Sequence, residues 1–280
     1  MNGIINVLKP IGMTSADIVR WILKKTKAKK AGHIGTLDPG AAGVLPICVG
    51  KATRLAEYHS EQEKYYRAEI TLGITTDTQD AFGRELTRVI SKVSRDEFKR
   101  VLKEFQGQIE QVPPMYSAVR KNGKHLYEYA RQGLEVARAK RQVTIHKLEI
   151  IDWQEDVFPK ALIDIECSKG TYIRTLCQDI GEYLGCGAHM SFLLRLRAGN
   201  FTIDSAFTLE EIERYLTKKD YSFVLDMDWG LKLPEIRIPQ GRLAAFKNGL
   251  STEGSLIQGK TVADHQPVKV FCEGHFIGIG

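Results

Sequence analysis

Cysteine is scarce in this chain of 280 residues, and long apolar runs are absent from its sequence. An odd number of cysteines without a Cys-x-x-Cys spacing argues against a disulfide framework and against a zinc knuckle. The five are Cys48, Cys167, Cys177, Cys186 and Cys272. No apolar segment approaches the roughly 18 residues of a membrane span. The first ten residues resemble a strand and a turn more than a cleavable signal peptide, so we expect a reduced, soluble, cytoplasmic protein.

Acidic residues are nearly missing from two stretches, although the whole chain carries a formal net charge of only +6. Residues 112–147 contain eight basic residues and two acidic ones. The second stretch has six basic residues and no acidic one, namely Arg20, Lys24, Lys25, Lys27, Lys29 and Lys30. Concentrated positive charge on a mildly acidic body predicts a polyanionic partner, with nucleic acid as the first candidate. The alternative for the second stretch is an ordinary solvated helix face.

Strand and helix patterns are mixed along the first 230 residues. Strand patterns cover residues 4–8, 66–72 and 162–167. Helices are predicted after the capping residues Thr14, Ser94 and Thr208, and over residues 173–184. Because these elements lack the regular βαβ repeat of a doubly wound sheet, we predict an α+β fold with a mixed, largely antiparallel sheet.

The texture of the sequence changes after Leu231-Lys232-Leu233-Pro234, where short strand-like pieces with frequent glycine begin. We therefore predict one domain over residues 1–230 and a small β-rich domain over residues 231–280. Residues 276–280 look like the middle of a strand, so we expect the chain to be truncated at this end.

The first segment with unusual chemistry runs from Gly32 to Gly40 and contains the carboxylate of Asp38. Its three glycines let the backbone pass close to a ligand, and Pro39 restricts the turn after the carboxylate. The segment is not a phosphate-binding P-loop, because no Gly-Lys-Ser/Thr follows the glycines in register. The alternative is that Asp38-Pro39-Gly40 is merely a turn, since both of its dipeptides favour turns.

The second segment is Ser168-Lys169-Gly170-Thr171-Tyr172-Ile173-Arg174, which ends in the first turn of a predicted helix. Arg174 lies off the apolar stripe of that helix, and a cation near a helix N-terminus opposes the macrodipole. A carboxylate partner or an RNA phosphate would offset that cost. The alternative is a surface arginine that tolerates the small penalty.

The third segment follows Gln111-Val112-Pro113-Pro114, which introduces a loop-like insertion. Aromatic rings alternate there with cations, in the order Tyr116, Arg120, Lys121, Lys124, His125, Tyr127, Tyr129 and Arg131. Rings that stack on bases, beside cations that hold phosphates, are typical of proteins that bind single-stranded or loop RNA. The alternative is that Tyr127 and Tyr129 belong to the core.

Taken together, these segments resemble the TruB family of tRNA pseudouridine-55 synthases, from about Gly3 to Thr208. The matching motifs are the catalytic-aspartate motif at residues 32–39 and 43–46, the tyrosine motif at 64–68, the arginine motif at 168–175, a leucine-bearing segment at 187–195, and an RNA-gripping thumb at 114–118 and 126–133. The piece after residue 231 is similar to a PUA-type RNA-binding domain. The resemblance implies the pseudouridine synthase fold, with a helix-flanked sheet and a thumb insertion at about residues 111–141.

The resemblance also implies an isomerase that converts the uridine at position 55, in the tRNA T-loop, to pseudouridine after flipping its base out. Asp38 would be an ionised nucleophile or electrostatic stabiliser, acting at either uracil C6 or ribose C1′. Arg174 would pair with Asp38 and keep it charged in an apolar pocket. Tyr66 would stack on the uracil, with its hydroxyl assisting proton transfer.

The remaining implied roles concern binding. Tyr172 and Leu193 would wall the pocket, and His33 would fill the space that the flipped base leaves. Phosphates would be held by Lys9 and by the two basic stretches, with Lys124 and Arg131 in the thumb. Because the reaction is an isomerisation, no metal, redox cofactor or nucleotide is expected, and the sequence contains no motif for one.

The expected partner is the T-arm of tRNA, with no membrane, no obligate protein partner and a monomeric chain. Two rivals stay open: a non-catalytic protein that binds or folds tRNA, and an RNA-guided pseudouridine synthase that works inside a ribonucleoprotein. The joint presence of Asp38, Tyr66 and Arg174 favours an enzyme over the first rival. The thumb insertion favours a stand-alone enzyme over the second.

Overall fold

The computed structural model describes residues 1–259 and 265–280, and these residues form eighteen strands and seven α-helices. The strands are β1 Gly3–Lys9, β2 Ala31–His33, β3 Ala42–Val49, β4 Lys64–Leu72, β5 Ile74–Thr76, β6 Glu85–Arg88, β7 Gly107–Gln111, β8 Arg120–Lys121, β9 Lys124–His125, β10 Arg141–Gln154, β11 Lys160–Cys167, β12 Ala188–Ala198, β13 Phe201–Thr202, β14 Val224–Leu225, β15 Glu235–Arg237, β16 Gln258–Gly259, β17 Lys269–Cys272 and β18 His275–Ile279. The helices are α1 Ser15–Thr26, α2 Ala56–Ser60, α3 Arg95–Leu102, α4 Leu126–Ala130, α5 Ile173–Tyr183, α6 Leu209–Thr217 and α7 Leu243–Lys247.

Three helices begin at the capping residues that the sequence predicts. Thr14 accepts a hydrogen bond from the backbone N–H of Asp17, whose carboxylate accepts one from the Thr14 N–H. Thr208 starts α6 with the same reciprocal pair of bonds, and Ser94 starts α3 by accepting from the N–H of Glu97. Each bond satisfies a backbone donor that the first turn of a helix leaves free, so the predicted helix starts are confirmed.

The main sheet has the strand order β14-β1-β3-β12-β4-β11-β10-β7, with β2 added on β3 and β13 added on β12. Its strands pair antiparallel except for β3 and β12, which run parallel where Leu194 lies opposite Ala42. The sheet is therefore mixed and largely antiparallel, as the sequence predicts.

The larger core lies on the face of this sheet that α1, α3, α5 and α6 cover. The side chains of β4 alternate in burial, so that Tyr66, Ala68, Ile70 and Leu72 all point into this core. A smaller cluster around Phe201 packs against the opposite face. Burial on both faces makes the middle of the sheet a rigid frame for the loops at its edge.

A second sheet, β16-β15-β17-β18, forms a small β domain near the C-terminus with its own cluster of buried residues. The cluster is made by Ile236, Ile238, Val268, Val270 and Cys272. The predicted β-rich character of this region is confirmed, while the boundary at residue 230 stays a prediction. None of the helices in the described ranges is long and apolar enough to cross a membrane.

Candidate active site

A cavity of about 250 Å³ opens beside the parallel pair β3–β12, where the loop after β2 meets the start of α5. The cavity is lined by five of the residues that the sequence predicts for the site, namely Asp38, Tyr66, Tyr172, Arg174 and Leu193. They come from four separate parts of the chain, so only the fold brings them to one place.

Arg174 forms an ion pair with Asp38, with 2.9 Å between Nε and the carboxylate oxygen Oδ2. The arginine side chain is only 5% exposed, and it is held from two further directions. Its Nη1 donates to the carbonyl oxygen of Thr78 at 3.0 Å, and its Nη2 donates to that of Tyr116 at 2.8 Å. Arg174 is therefore a buried cation with an acceptor for each of its three guanidinium nitrogens. The alternative that it is a surface arginine is wrong.

The Asp38 side chain keeps 37% of its surface exposed, so its carboxylate is open to the cavity while Arg174 holds it from behind. Burial nevertheless raises the pKa of Asp38 above its ordinary value, and the nearby Asp80 carboxylate adds to this rise. The Arg174 guanidinium is the largest influence that lowers the pKa. The ionised form of Asp38 thus depends on its partner.

Asp80 is a residue that the sequence analysis missed. Its Oδ2 lies 3.8 Å from Nη1 of Arg174, while its Oδ1 accepts from the hydroxyl of Thr78 and the N–H of Phe82. In the sequence it stands in the polar run Thr-Asp-Thr-Gln-Asp, which indicates only a turn. A second carboxylate near the guanidinium becomes visible only when the turn folds against α5.

The backbone on both sides of Asp38 is held by hydrogen bonds to the start of α1. The buried Ser15 hydroxyl accepts from the N–H of Leu37 at 2.9 Å and donates to the Leu37 carbonyl at 3.0 Å. The N–H of Gly12 donates to the Pro39 carbonyl at 2.8 Å. Asp38-Pro39-Gly40 is thus a turn, closed by an Ala41 N–H to Asp38 carbonyl bond of 3.0 Å, and it also carries the carboxylate of the site.

Lys9 corrects one expectation of the sequence analysis. The residue is fully buried, and its Nζ donates to the carbonyl oxygens of Pro10 at 2.8 Å and Met13 at 2.6 Å. Burial lowers the pKa of Lys9 to about 8. An ammonium that is enclosed and committed to backbone acceptors is not available to an RNA phosphate, so the predicted phosphate contact of Lys9 is wrong. Lys9 instead fixes the bend that leads into α1.

Arg195 is a further buried cation, and the sequence analysis did not single it out. It is 1% exposed, and no carboxylate in residues 1–259 or 265–280 lies within ion-pair distance of it. Its guanidinium donates to the carbonyl oxygens of Gly35, Thr36 and Val44 at 3.1, 3.3 and 2.7 Å. The sequence signal that could have found Arg195 is a charged residue directly after the apolar run Phe192-Leu193-Leu194. Arg195 ties both ends of the Asp38 loop to β12.

Tyr66 lies directly opposite Arg195 in the β4–β12 register, and its side chain is buried against the cavity. Burial raises the pKa of the Tyr66 hydroxyl, while Arg195 lowers it. Tyr172 precedes α5, where Gln111 accepts from its N–H at 3.0 Å and donates to its carbonyl at 3.2 Å. The two rings and Leu193 give the cavity apolar walls around the ion pair.

His33 lies outside the lining of the cavity, on β2 opposite Ile47. The ring is partly buried, and its Nδ1 has no hydrogen-bond partner among the described residues. Burial lowers the pKa of His33, which favours the neutral ring. Its role as a space-filling residue in the RNA stays a prediction.

The two thumb cations that the sequence predicts as phosphate contacts are open to solvent. Lys124 and Arg131 are exposed, and the Arg131 guanidinium lies 5.4 Å from the ring centre of Tyr127. The other neighbour of Tyr127 is His125, whose ring stacks on it at 5.2 Å. Both tyrosines of this segment are half-buried, while Leu126 is the buried anchor of α4. The alternative that the tyrosines form a core is therefore not favoured.

The second basic stretch is partly neutralised within the protein. Arg20 pairs with Asp17, and Lys25 pairs with Glu213 on α6. The other four cations of the stretch form no ion pair within the described residues. A solvated helix face and a phosphate-binding face are both compatible with that arrangement.

Comparison with known proteins places this site in a family. The model of the TruB family pseudouridylate synthases (N-terminal domain) matches residues 22–173, and that of the tRNA pseudouridylate synthase B C-terminal domain matches residues 174–232. The tRNA pseudouridine synthase B of Alkaliphilus oremlandii is 46% identical over 286 residues, covering 100% of this chain and 93% of the relative. That of Symbiobacterium thermophilum is 54% identical over 213 residues, covering 76% and 71%.

Among solved structures, the chain is similar to one in a Cbf5–Nop10–Gar1 complex, with 30% identity and a TM-score of 0.77 over 99% of this chain and 77% of the other. It is also similar to a chain of an H/ACA ribonucleoprotein bound to a substrate RNA that contains 2′-deoxyuridine, with 27% identity and a TM-score of 0.75 over the same shares. The sequence identity to the two tRNA pseudouridine synthases B is higher, at 46% and 54%. The chain therefore belongs to the TruB family of tRNA pseudouridine synthases, which are isomerases.

Proposed function

We propose that this chain converts the uridine at position 55, in the T-loop of tRNA, to pseudouridine, with Asp38 as the carboxylate that attacks the nucleoside. The observation that carries the proposal is the 2.9 Å pair of Asp38 and Arg174 in an apolar-walled cavity. A carboxylate that is open to a cavity on one side and fixed by a cation on the other is suited to nucleophilic attack.

The proposed reaction rearranges one nucleoside and needs no other reactant. The bond from ribose C1′ to uracil N1 breaks, the base turns, and a bond from C1′ to uracil C5 forms. The proton on C5 is released while N1 takes one up, so atoms and electrons balance without an oxidant or a reductant. Attack by Asp38 on C1′ or on C6 leads to the same product, and either route requires the ionised carboxylate.

The residues around Asp38 have separate roles in this proposal. Arg174 holds the carboxylate ionised and aimed into the cavity. The ring of Tyr66 stacks on the turned base, and its hydroxyl assists proton transfer at the ribose. Tyr172 and Leu193 close the sides of the pocket and keep water away from the breaking bond.

Binding of the RNA is assigned to surfaces outside the cavity. Lys124 and Arg131 of the thumb contact phosphates, and His33 takes the place of the flipped base. Residues 231–280 act as a PUA-type RNA-binding domain next to a catalytic domain of residues 1–230. The chain works in the cytoplasm as a monomer, without a guide RNA, a protein partner or a cofactor.

The test is pseudouridine mapping on an unmodified tRNA transcript that has been incubated with the purified chain alone. The expected result is one new pseudouridine in the T-loop, which is absent when the Asp38→Ala variant is used in place of the wild-type chain. Tight tRNA binding without product would instead support a non-catalytic tRNA-binding protein. Product that forms only after a guide RNA and partner proteins are added would support the ribonucleoprotein alternative.

A further inference from the structure

Phe82 is an aromatic residue in an unusual position, because 70% of its surface is exposed although it lies beside the Asp38 loop. Its ring covers the Cα atom of Gly40, where an added methyl group would overlap the ring. Gly40 follows Asp38 by two residues, so chain connectivity keeps their Cα atoms within about 7 Å of each other. The ring therefore lies beside the Asp38 loop with most of its surface open, although residues 77–84 do not line the cavity itself.

The turn that carries Phe82, residues 77–84, is fixed to the catalytic machinery. The Phe82 N–H donates to Oδ1 of Asp80 at 3.0 Å, and the Thr78 carbonyl accepts from Arg174 at 3.0 Å. The residue before Phe82, Ala81, donates its N–H to the Met190 carbonyl on β12 at 3.0 Å. A ring on such a turn is presented in a defined place, so little conformational freedom is lost when a ligand stacks on it.

The same guanidinium that fixes this turn also holds the thumb, through the Tyr116 carbonyl. The 77–84 turn and the thumb therefore lie on two sides of Asp38, and each accepts its own hydrogen bond from Arg174. When a uridine reaches Asp38, we expect a neighbouring nucleotide of the RNA to come within reach of one of these two segments. Nucleobases present flat aromatic faces, and such faces are the surfaces that stack on an exposed ring.

We propose that Phe82 is a stacking site for a nucleobase of the bound RNA, one that neighbours the flipped uridine. This inference rests on the proposed function, because it assumes that RNA enters the cavity with a uridine at Asp38. Phe82 contributes to affinity and to positioning of the RNA, and it takes no part in bond making or breaking. The Gly40 backbone supports one face of the ring, and the base covers the other.

The first experiment compares the affinity of wild type and variants for a T-arm RNA hairpin and for whole tRNA. Phe82→Ala is expected to raise the Kd about 10-fold, within the range found when a base-stacking aromatic is removed. Phe82→Tyr keeps the ring and should remain within about two-fold of wild type, whereas Phe82→Leu keeps apolar bulk without a ring and should resemble Phe82→Ala. Equal affinity of Phe82→Ala and wild type would overturn the proposal, and full rescue by Phe82→Leu would do the same.

Leu86 offers a matched control on the protein's β5–β6 hairpin, which also carries the turn with Phe82. Leu86 is apolar and 55% exposed, but it lies on β6, away from Gly40. Leu86→Ala should leave the Kd unchanged. An equal loss in Leu86→Ala and Phe82→Ala would point to general apolar contact with a protein or RNA surface, and would contradict stacking at Phe82.

A double-mutant cycle with Gly40 tests whether the ring acts from its observed place. Gly40→Ala would displace the ring, and it should weaken RNA binding in the wild-type background. In the Phe82→Ala background the same change should have no further effect on affinity. Additive losses in the two variants would show that the ring does not act from Gly40, and would contradict the proposal.

A fluorescence measurement separates this inference from the proposed function. T-arm hairpins with 2-aminopurine at single positions beside the target should show one position whose fluorescence is quenched by wild type and less by Phe82→Ala. The same hairpins are also assayed for pseudouridine product with the wild type. Absence of product with wild type would refute the proposed function, whereas equal quenching at every position would refute the stacking site alone.

Discussion

The cavity around Asp38 and the thumb of residues 111–141 hold their cations in opposite ways. In the cavity, Arg174 and Arg195 are buried and donate to named acceptors, mostly backbone carbonyls. In the thumb, Lys124 and Arg131 extend into solvent, and the only described contact of the Arg131 charge is the Tyr127 ring. The cavity fixes its charges before RNA arrives, whereas the thumb leaves Lys124 and Arg131 without an ion pair among the described residues, although its Arg138 and Lys140 are paired with Glu135 and Glu110.

This difference matches two separate tasks. Chemistry at one nucleoside needs groups that are already placed, because reorganising them during the reaction would add to its barrier. Phosphate contacts need reach and tolerance, because much of their free energy comes from counterion release and not from one geometry. Substitutions in the cavity should therefore change the rate of the chemical step, and substitutions in the thumb should change affinity and its dependence on salt.

The largest expected effect comes from Asp38→Asn, which keeps the shape of the side chain and removes its charge. We expect the single-turnover rate to fall by about 10⁴-fold or more, as on loss of a nucleophile in other enzymes. The Kd for tRNA should stay within about three-fold of wild type, since Asp38 makes no phosphate contact. Rapid-quench assays and filter binding measure the two quantities. Substantial activity in this variant would remove Asp38 from the nucleophile role.

Arg174→Gln should lower the single-turnover rate at neutral pH by about 10³-fold, because it removes the cation that holds Asp38 ionised. Arg174 lowers the pKa of Asp38, so its loss moves that pKa further above the ordinary value. The acid limb of the pH–rate profile should therefore shift to higher pH, and activity should recover in part as pH rises. Arg197→Gln, which breaks the ion pair with Glu166 outside the cavity lining, serves as the control and should leave the limb in place.

Tyr66→Phe should slow the chemical step by about 100-fold if the hydroxyl transfers a proton, since the stacking ring is kept. Tyr65→Phe is the matched control, because the Tyr65 hydroxyl donates to Asp164 at 2.8 Å on the other face of β4. Single-turnover assays should show a loss for position 66 and none for position 65. An unchanged rate in Tyr66→Phe would reduce this residue to a packing role.

The smallest expected effect is on affinity alone. The double variant Lys124→Ala with Arg131→Ala should raise the Kd for tRNA, and should flatten the slope of log K against log salt by about two. Lys140→Ala is the control, because Lys140 already pairs with Glu110 on β7 at 3.2 Å. A loss of affinity that does not depend on salt would contradict phosphate contact. A changed rate of the chemical step would contradict the assignment of binding to the thumb and of chemistry to the cavity.

Local structure was predictable wherever short-range chemistry decides it. Thr14 and Thr208 cap helices with a carboxylate three residues further on, and residues 66–72 alternate because one face of β4 is buried. Strands β1, β4 and β11, helices α1, α3, α5 and α6, and the largely antiparallel main sheet followed from such patterns, whereas strands β3, β10 and β12 were not predicted. The residues that meet in the cavity were named from resemblance to a family, and not from any pattern of spacing.

The sequence by itself determined the helix starts, the buried faces of the strands, the concentration of charge in the thumb and membership of the family. Only the tertiary structure decided which cations are enclosed: Arg174 meets carbonyls that lie 96 and 58 residues away, and Lys9 is closed off from RNA by its own turn. Burial and pKa depend on which distant segments surround a charge, and no local pattern carries that information. The exposed ring of Phe82 likewise lies beside the Asp38 loop only because the 77–84 turn folds over Gly40.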